Sequence, residues 1–263
     1  MTTARPTTKA AAILIAAAVA LSAAACSSPA PKASPSASAD DLSGTITVFG
    51  AASLTATFTE LAKQFESDHP DVTVQTSFAG SADLVTQLQN GAGADLFASA
   101  DEKNMDKVAD LLDTRVDFAT NTLEIAVPPS NPAGVKTFAD LAKPDVKTVV
   151  CAPVVPCGSA TVTIEQATGI DITPVSEESA VTDVLGKVSS GEADAGLVYV
   201  TDIKGAKGSV KGIEFPESSK AVNTYPIATL KDSANAKVAA AFLKFVTGTK
   251  GKAVLSAAGF GAP

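Results

Sequence analysis

The chain has 263 residues, 46% apolar and 18% charged, with a formal charge of −8. That is enough apolar chain for one large domain or two small ones, and the acidic balance, without a basic run or an aromatic platform, argues against a nucleic-acid partner. The single histidine, His69, lies in the polar turn Ser67-Asp68-His69-Pro70-Asp71, which excludes a His-rich metal site and leaves little scope for Ser–His or Cys–His catalysis.

Residues 1–25 read as a secretory signal. Arg5 and Lys9 give a positive start, and residues 10–21 form an apolar core too short to span a bilayer comfortably. The segment ends in Leu21-Ser22-Ala23-Ala24-Ala25-Cys26. This resembles the bacterial lipoprotein signal, in which small residues precede the cysteine that carries the lipid; a plain signal with an incidental cysteine is the alternative. Without Arg5 and Lys9 the chain keeps 18 basic and 28 acidic residues, a charge of −10. Residues 26–43, rich in Pro, Ser and Ala, read as a flexible tether that cannot form a core. The expected location is therefore extracytoplasmic, lipid-anchored through Cys26 to the outer face of the plasma membrane.

In the stretch 45–56, Ile46 and Val48 alternate with Thr45 and Thr47 as in a strand, and Leu54, Phe58, Leu61 and Phe65 then recur at helical spacing. Ser53 stands at the junction. Free backbone N–H groups and the positive end of a helix dipole favour an anion at such a place, although a serine there also serves as an ordinary N-cap. The device recurs: residues 72–78 read as a strand, Ala79-Gly80-Ser81 follows, and residues 82–91 read as a short helix closed by Asn90-Gly91. In a parallel sheet such junctions line one edge, so Ser53 and Ser81 can converge on one anion.

Further strands are expected at 94–100, 123–129, 146–151, 171–175, 194–200, 213–215 and 224–229. Helices are expected through Met105, Val108, Leu111 and Leu112, then at 137–142, 158–168, 177–190, 234–247 and 250–257. The alternation predicts an α/β fold with largely parallel sheet, arranged as two lobes: 44–122 with 225–263, and 123–224.

Several segments resemble the molybdate-binding proteins of bacterial ABC importers, which are periplasmic-type solute-binding proteins. They are Val48-Phe49-Gly50-Ala51-Ala52-Ser53-Leu54, Ser77-Phe78-Ala79-Gly80-Ser81, Gly91-Ala92-Gly93-Ala94-Asp95-Leu96-Phe97-Ala98-Ser99-Ala100-Asp101, Val155-Pro156-Cys157-Gly158, Gly196-Leu197-Val198-Tyr199 and Tyr225-Pro226-Ile227. The resemblance implies a two-lobed type II periplasmic-binding-protein fold with an oxyanion held in the cleft by neutral donors, without a cofactor and without a metal ion on the side chains. Carried over by position, the ligands would be the hydroxyls and N–H groups of Ser53 and Ser81, the backbone N–H groups of Cys157 and Val181, and the phenol of Tyr199. The implied role is a monomeric receptor that captures molybdate or tungstate and delivers it to a membrane permease. Two positions depart from the pattern: family members often have alanine at Cys157 and proline at Gly93. In an oxidising compartment Cys151 and Cys157 are candidates for a disulfide closing a small loop at the binding turn, with two free thiols as the alternative.

Competing readings are a receptor for another oxyanion such as sulfate or phosphate, a ferric-iron receptor, an enzyme, or a structural surface lipoprotein with no ligand. Phosphate can carry a proton and favours a carboxylate acceptor, which none of the five positions supplies. Iron receptors call for paired tyrosines or converging carboxylates, whereas Tyr199 and Tyr225 are the only tyrosines and Tyr225 falls in the expected hinge. The chain carries no nucleophile elbow, Walker loop or dinucleotide fingerprint.

Overall fold

The computed structural model describes residues 42–263; the expected leader, Cys26 and most of the tether lie outside them. The described chain is built on two five-stranded mixed sheets of matching design. The first holds β1 (Gly44–Ala51), β2 (Val72–Ala79), β3 (Leu96–Ala98), β4 (Leu112–Asn121) and, far along the chain, β10 (Asn223–Leu230), in the order β2-β1-β3-β10-β4. The second holds β5 (Leu123–Val127), β6 (Thr148–Cys151), β7 (Ser176–Glu178), β8 (Ala195–Tyr199) and β9 (Lys211–Ile213), in the order β7-β6-β8-β5-β9. In each sheet three strands run parallel, and a fourth lies antiparallel between them and the edge strand. The chain passes between sheets twice, at Thr122 and between β9 and β10. The result is a two-lobed α/β periplasmic-binding-protein fold.

The helices follow from the apolar spacing. Residues Phe58, Leu61 and Phe65 of α1 (Thr55–Asp68) bury one stripe against the first sheet. Phe242 of α7 (Ala236–Thr247) meets the Phe65 ring edge-on at 5.2 Å, and α8 (Thr249–Ala258) packs beside them. On the opposite face, α2 (Ser81–Gln89) and α3 (Glu102–Asp106) bury Leu84, Leu88 and Met105 with Phe49 and Phe97. The inner parallel strands β3, β6 and β8 are buried on both faces and read as largely apolar runs, whereas the edge strand β2 alternates. The second sheet is covered by α4 (Pro156–Thr168), α5 (Val181–Ser189) and α6 (Val200–Gly205).

Several elements differ from the sequence expectation, among them the short helix α6, which lies outside the expected helices, and β9, which ends at Ile213 rather than starting there. The helix expected through Met105, Val108, Leu111 and Leu112 stops at Asp106. A 3-10 turn at Ala109–Leu111 follows, and Leu112 opens the ten-residue strand β4. Met105, Val108 and Leu112 share one buried cluster, so their spacing reflects a common core reached by a folded-over turn. Strand β4 carries no clear sequence signal because its first half is exposed and charged, with Arg115 paired to Glu102 and Asp106. Residues 171–175 form no strand. The ladder partner of β6 is instead Ser176–Glu178, with Glu178 opposite Cys151, and α5 starts only at Val181. The Lys187 ammonium bonds Glu178 and Ser176 and holds this polar strand in place. Residues 138–142 form a 3-10 helix, capped by Thr137 and Asp140.

Candidate anion site at the facing strand ends

Parallel strands place all their carboxyl ends on one edge, and the helices that follow start there. In the first sheet Ala51 and Ala79 are neighbours at the ends of β1 and β2. In the second, Cys151 and Glu178 are neighbours at the ends of β6 and β7. Four chain turns leave these ends, and each carries one of the residues singled out from the sequence.

Ser53 lies in the 3-10 turn Ala52–Leu54 between β1 and α1. It does not cap α1, because the cap position is Leu54. Its buried Oγ is 3.0 Å from Tyr225 Oη. If the phenol donates, the serine proton remains free for a ligand. Ser81 is the first residue of α2 and 1% exposed. Its Oγ accepts the Ala100 N–H at 3.0 Å, which likewise leaves its own proton to give. Cys157 is the second residue of α4, after Pro156 at a position that needs no N–H. Val181 is the first residue of α5. Helix geometry leaves the N–H groups at both starts without intrahelical partners.

Tyr199 ends β8 and is 1% exposed. Its Oη is buried, and among the described residues it has no hydrogen-bond partner of standard geometry, although the Tyr225 phenol interacts with it; an under-satisfied hydroxyl is costly in a folded core. Burial pushes both phenols well above their ordinary pKa, and at Tyr199 the nearby Tyr225, Asp101 and Asp202 add to the shift. Both are therefore neutral O–H donors. The Tyr199 backbone is held from behind, since its N–H donates to Asp202 Oδ2 at 2.9 Å. Burial raises the Asp202 carboxyl to about 7.

Contacts across the lobe boundary bring these parts together. The Tyr199 and Tyr225 rings meet edge to face at 5.9 Å, which links Tyr199 through Tyr225 to Ser53. Helix α5 packs on the Ser53 turn. Gly80, just before Ser81, lies so close to the Ser179 carbonyl that a Cβ there would sit 2.0 Å from its oxygen. Cys151 and Cys157 form a disulfide. Gly158 next to it has the same need for a bare α-carbon, with the Ala152 carbonyl oxygen 2.0 Å from where a Cβ would be. An open cleft of about 550 Å³ is lined by Asp101, Asp106, Pro156, Thr163 and Asn223 and by none of the five residues, all of which are buried. A set of buried neutral donors can solvate an anion without a buried counter-charge, whose desolvation is expensive.

Sequence reasoning misses three contributors. It places Tyr225 in the hinge without its bond to Ser53, a contact 172 residues apart in the chain. Asp202 carries a local signal, an acid three residues after Tyr199 in a capping-box arrangement. Asn104 is fully buried and held by Asp101, the cap of α3, again at a three-residue spacing.

Residues 46–261 match the family model described as bacterial extracellular solute-binding protein. The chain is 49% identical over 222 residues to the molybdate-binding protein ModA of Mycobacterium tuberculosis H37Rv, covering 83% of this chain and 85% of that relative. Among solved structures, it superposes with a TM-score of 0.72 on the periplasmic molybdate-binding protein of Azotobacter vinelandii, at 24% identity and covering 83% of this chain and 99% of that one. It superposes with a TM-score of 0.71 on the sulfate-binding protein SubI of M. tuberculosis, at 18% identity and covering 82% and 86%. Likenesses at these identities speak for the fold.

Proposed function

Because this chain belongs to the bacterial extracellular solute-binding proteins and, within them, to the molybdate-binding family, we propose that it captures molybdate, and also tungstate, and hands it to the permease of an ABC importer. The oxyanion sits between a lobe of residues 44–122 with 225–263 and a lobe of residues 123–224. It is held by the hydroxyls of Ser53, Ser81 and Tyr199 and by the backbone N–H groups of Ser53, Ser81, Cys157 and Val181. The protein acts by binding rather than turnover, as a monomer, tethered through lipid on Cys26. The oxyanion is its cargo.

The observation that carries this reading is the buried Tyr199 Oη, which among the described residues has no hydrogen-bond partner of standard geometry. A folded protein bears that cost where a ligand repays it. A tetrahedral dianion offers four oxygens, and each hydrogen bond to a charged group contributes about 1.5–3 kcal/mol. Four or five such bonds give roughly 6–15 kcal/mol before the costs of ordering, which spans micromolar to nanomolar affinity. Lobe closure strengthens each bond by excluding water and gives the permease a loaded shape to recognise.

Calorimetry with molybdate, tungstate, sulfate and phosphate tests the proposal. Tight binding of molybdate and tungstate alone is the expected result. Binding of sulfate instead would keep the mechanism and change the cargo. No heat with any of the four would leave a structural surface lipoprotein as the better reading.

A further inference from the structure

The loop from Cys151 to Cys157 has a tip as well as a base, and each end meets a different partner. At the base, the disulfide ties the last residue of β6 to the second residue of α4, with both cysteines buried. The Ala152 N–H donates to Glu178 O at 2.9 Å and the Val155 N–H to Ala152 O at 2.9 Å, so the base is fixed to β7 and the loop folds as a tight turn. At the tip, the Val154 side chain is 62% exposed, yet its carbonyl accepts the side-chain amide of Asn104 at 3.4 Å. Asn104 belongs to α3, in the other lobe.

That amide is pre-set. One Nδ2 proton of Asn104 is shared between Asp101 Oδ1 at 2.9 Å and Oδ2 at 3.1 Å, which leaves the other for Val154 O, and the Asn104 backbone N–H donates to Oδ1 at 2.8 Å. Lys107 Nζ donates to Asn104 Oδ1 at 2.8 Å. One lobe thus offers a rigid donor and the other a rigid loop carbonyl. We propose that the disulfide-closed loop 151–157 is an interlobe latch, which couples the Cys157 N–H at its base to the Val154–Asn104 contact at its tip, so that holding the oxyanion and holding the lobes shut are one event. The proposal rests on the oxyanion-receptor reading for what the base binds. Physically, a loop cross-linked at its base has little freedom left to lose when the second contact forms. An uncross-linked loop can make either contact without the other.

The test is a cycle of four proteins: the unaltered protein, Asn104→Ala, the pair Cys151→Ala with Cys157→Ala, and all three changes together. Two quantities are read, the rate of molybdate release and hydrogen exchange at residues 101–107. In the disulfide-bonded protein Asn104→Ala should speed release about tenfold. In the cysteine-free protein release is already faster, and Asn104→Ala should add less than twofold. Equal factors in both backgrounds, or release from the cysteine-free protein at the original rate, would overturn the latch. Exchange at 101–107 needs no ligand and reports from the lobe that lacks the cysteines. Removing the disulfide should speed it several-fold, and unchanged exchange would overturn the latch even if molybdate binds normally. A faster exchange in a protein that binds no oxyanion would instead uphold the latch and remove the receptor reading.

Discussion

The two lobes share a strand order and a way of placing helix starts, but on the proposed reading they supply different mixtures of donor. The first contributes Ser53 and Ser81, side chains whose oxygens are already engaged by Tyr225 and by the Ala100 N–H. The second contributes the Tyr199 phenol and, at Cys157 and Val181, backbone alone, where the side chain is free to do something else; at Cys157 it forms a disulfide. A hydroxyl donor must be oriented by a neighbour before it is useful. A backbone donor is oriented by its helix, so precision there depends on how tightly the helix is seated. The two serine hydroxyls therefore rely on the hydrogen bonds behind them, and the two backbone donors of the second lobe on close packing behind their helix starts.

Two glycines break this comparison in the most informative way. At Gly158 a methyl group would meet the Ala152 and Cys151 carbonyls of its own lobe, and at Gly80 it would meet the Ser179 carbonyl of the other lobe. Gly158→Ala is expected to cost about 3 kcal/mol of folding stability and most of the oxyanion affinity, since backbone cannot step aside as a side chain does. Gly80→Ala has an ordinary cap conformation, φ −57°, and no clash within its lobe. Its melting temperature without ligand should stay within about 1 °C, while affinity falls roughly ten- to a hundredfold from an overpacking cost of about 1–3 kcal/mol. Thermal melts with and without molybdate separate the two. A Gly80→Ala protein that binds normally would mean that the lobes need not approach this closely.

Tyr199→Phe and Ser81→Ala sharpen the contrast between an idle donor and a working one. Removing the Tyr199 hydroxyl should leave the stability of the ligand-free protein within about 1 kcal/mol and lower affinity by about 1.5–3 kcal/mol. Ser81→Ala leaves the Ala100 N–H without its acceptor, so it should lower stability by about 1 kcal/mol and affinity by a similar amount. Urea unfolding and calorimetry on the same samples read both. Parallel losses in Tyr199→Phe would assign that phenol a structural role.

What could be read from the sequence divides along the same line. The junctions of Ser53 and Ser81 were legible because a strand pattern passes into a helix pattern within a few residues, and local signals carry that. The carboxyl end of the strands was legible as a place because topology fixes it. Strand β4 was not, since charged residues on its exposed half hide the period. Nor was β7, a polar strand held by Lys187 and its ladder to Cys151. The Ser53–Tyr225 bond and the Asn104–Val154 contact join residues far apart in the chain, and no local pattern encodes such pairs.

The smallest expected effect concerns Asp202, which supports Tyr199 from behind. Its carboxyl rises from 3.8 to about 7 because burial disfavours the charge, partly offset by the Tyr199 N–H. The folded chain therefore holds this proton to higher pH than the unfolded chain does. Stability from this group is complete below about pH 4, declines as pH rises through 7, and is flat above. Between pH 6 and 8 the loss should be roughly 1 kcal/mol. In Asp202→Asn the side chain is uncharged throughout, and its amide oxygen can still accept the Tyr199 N–H. That variant should therefore gain on the unaltered protein by about 1 kcal/mol as pH rises from 6 to 8. Urea midpoints at the two pH values measure it. An identical pH slope in both proteins would show that Asp202 keeps an ordinary carboxylate pKa, and that the second lobe anchors its tyrosine with a charge.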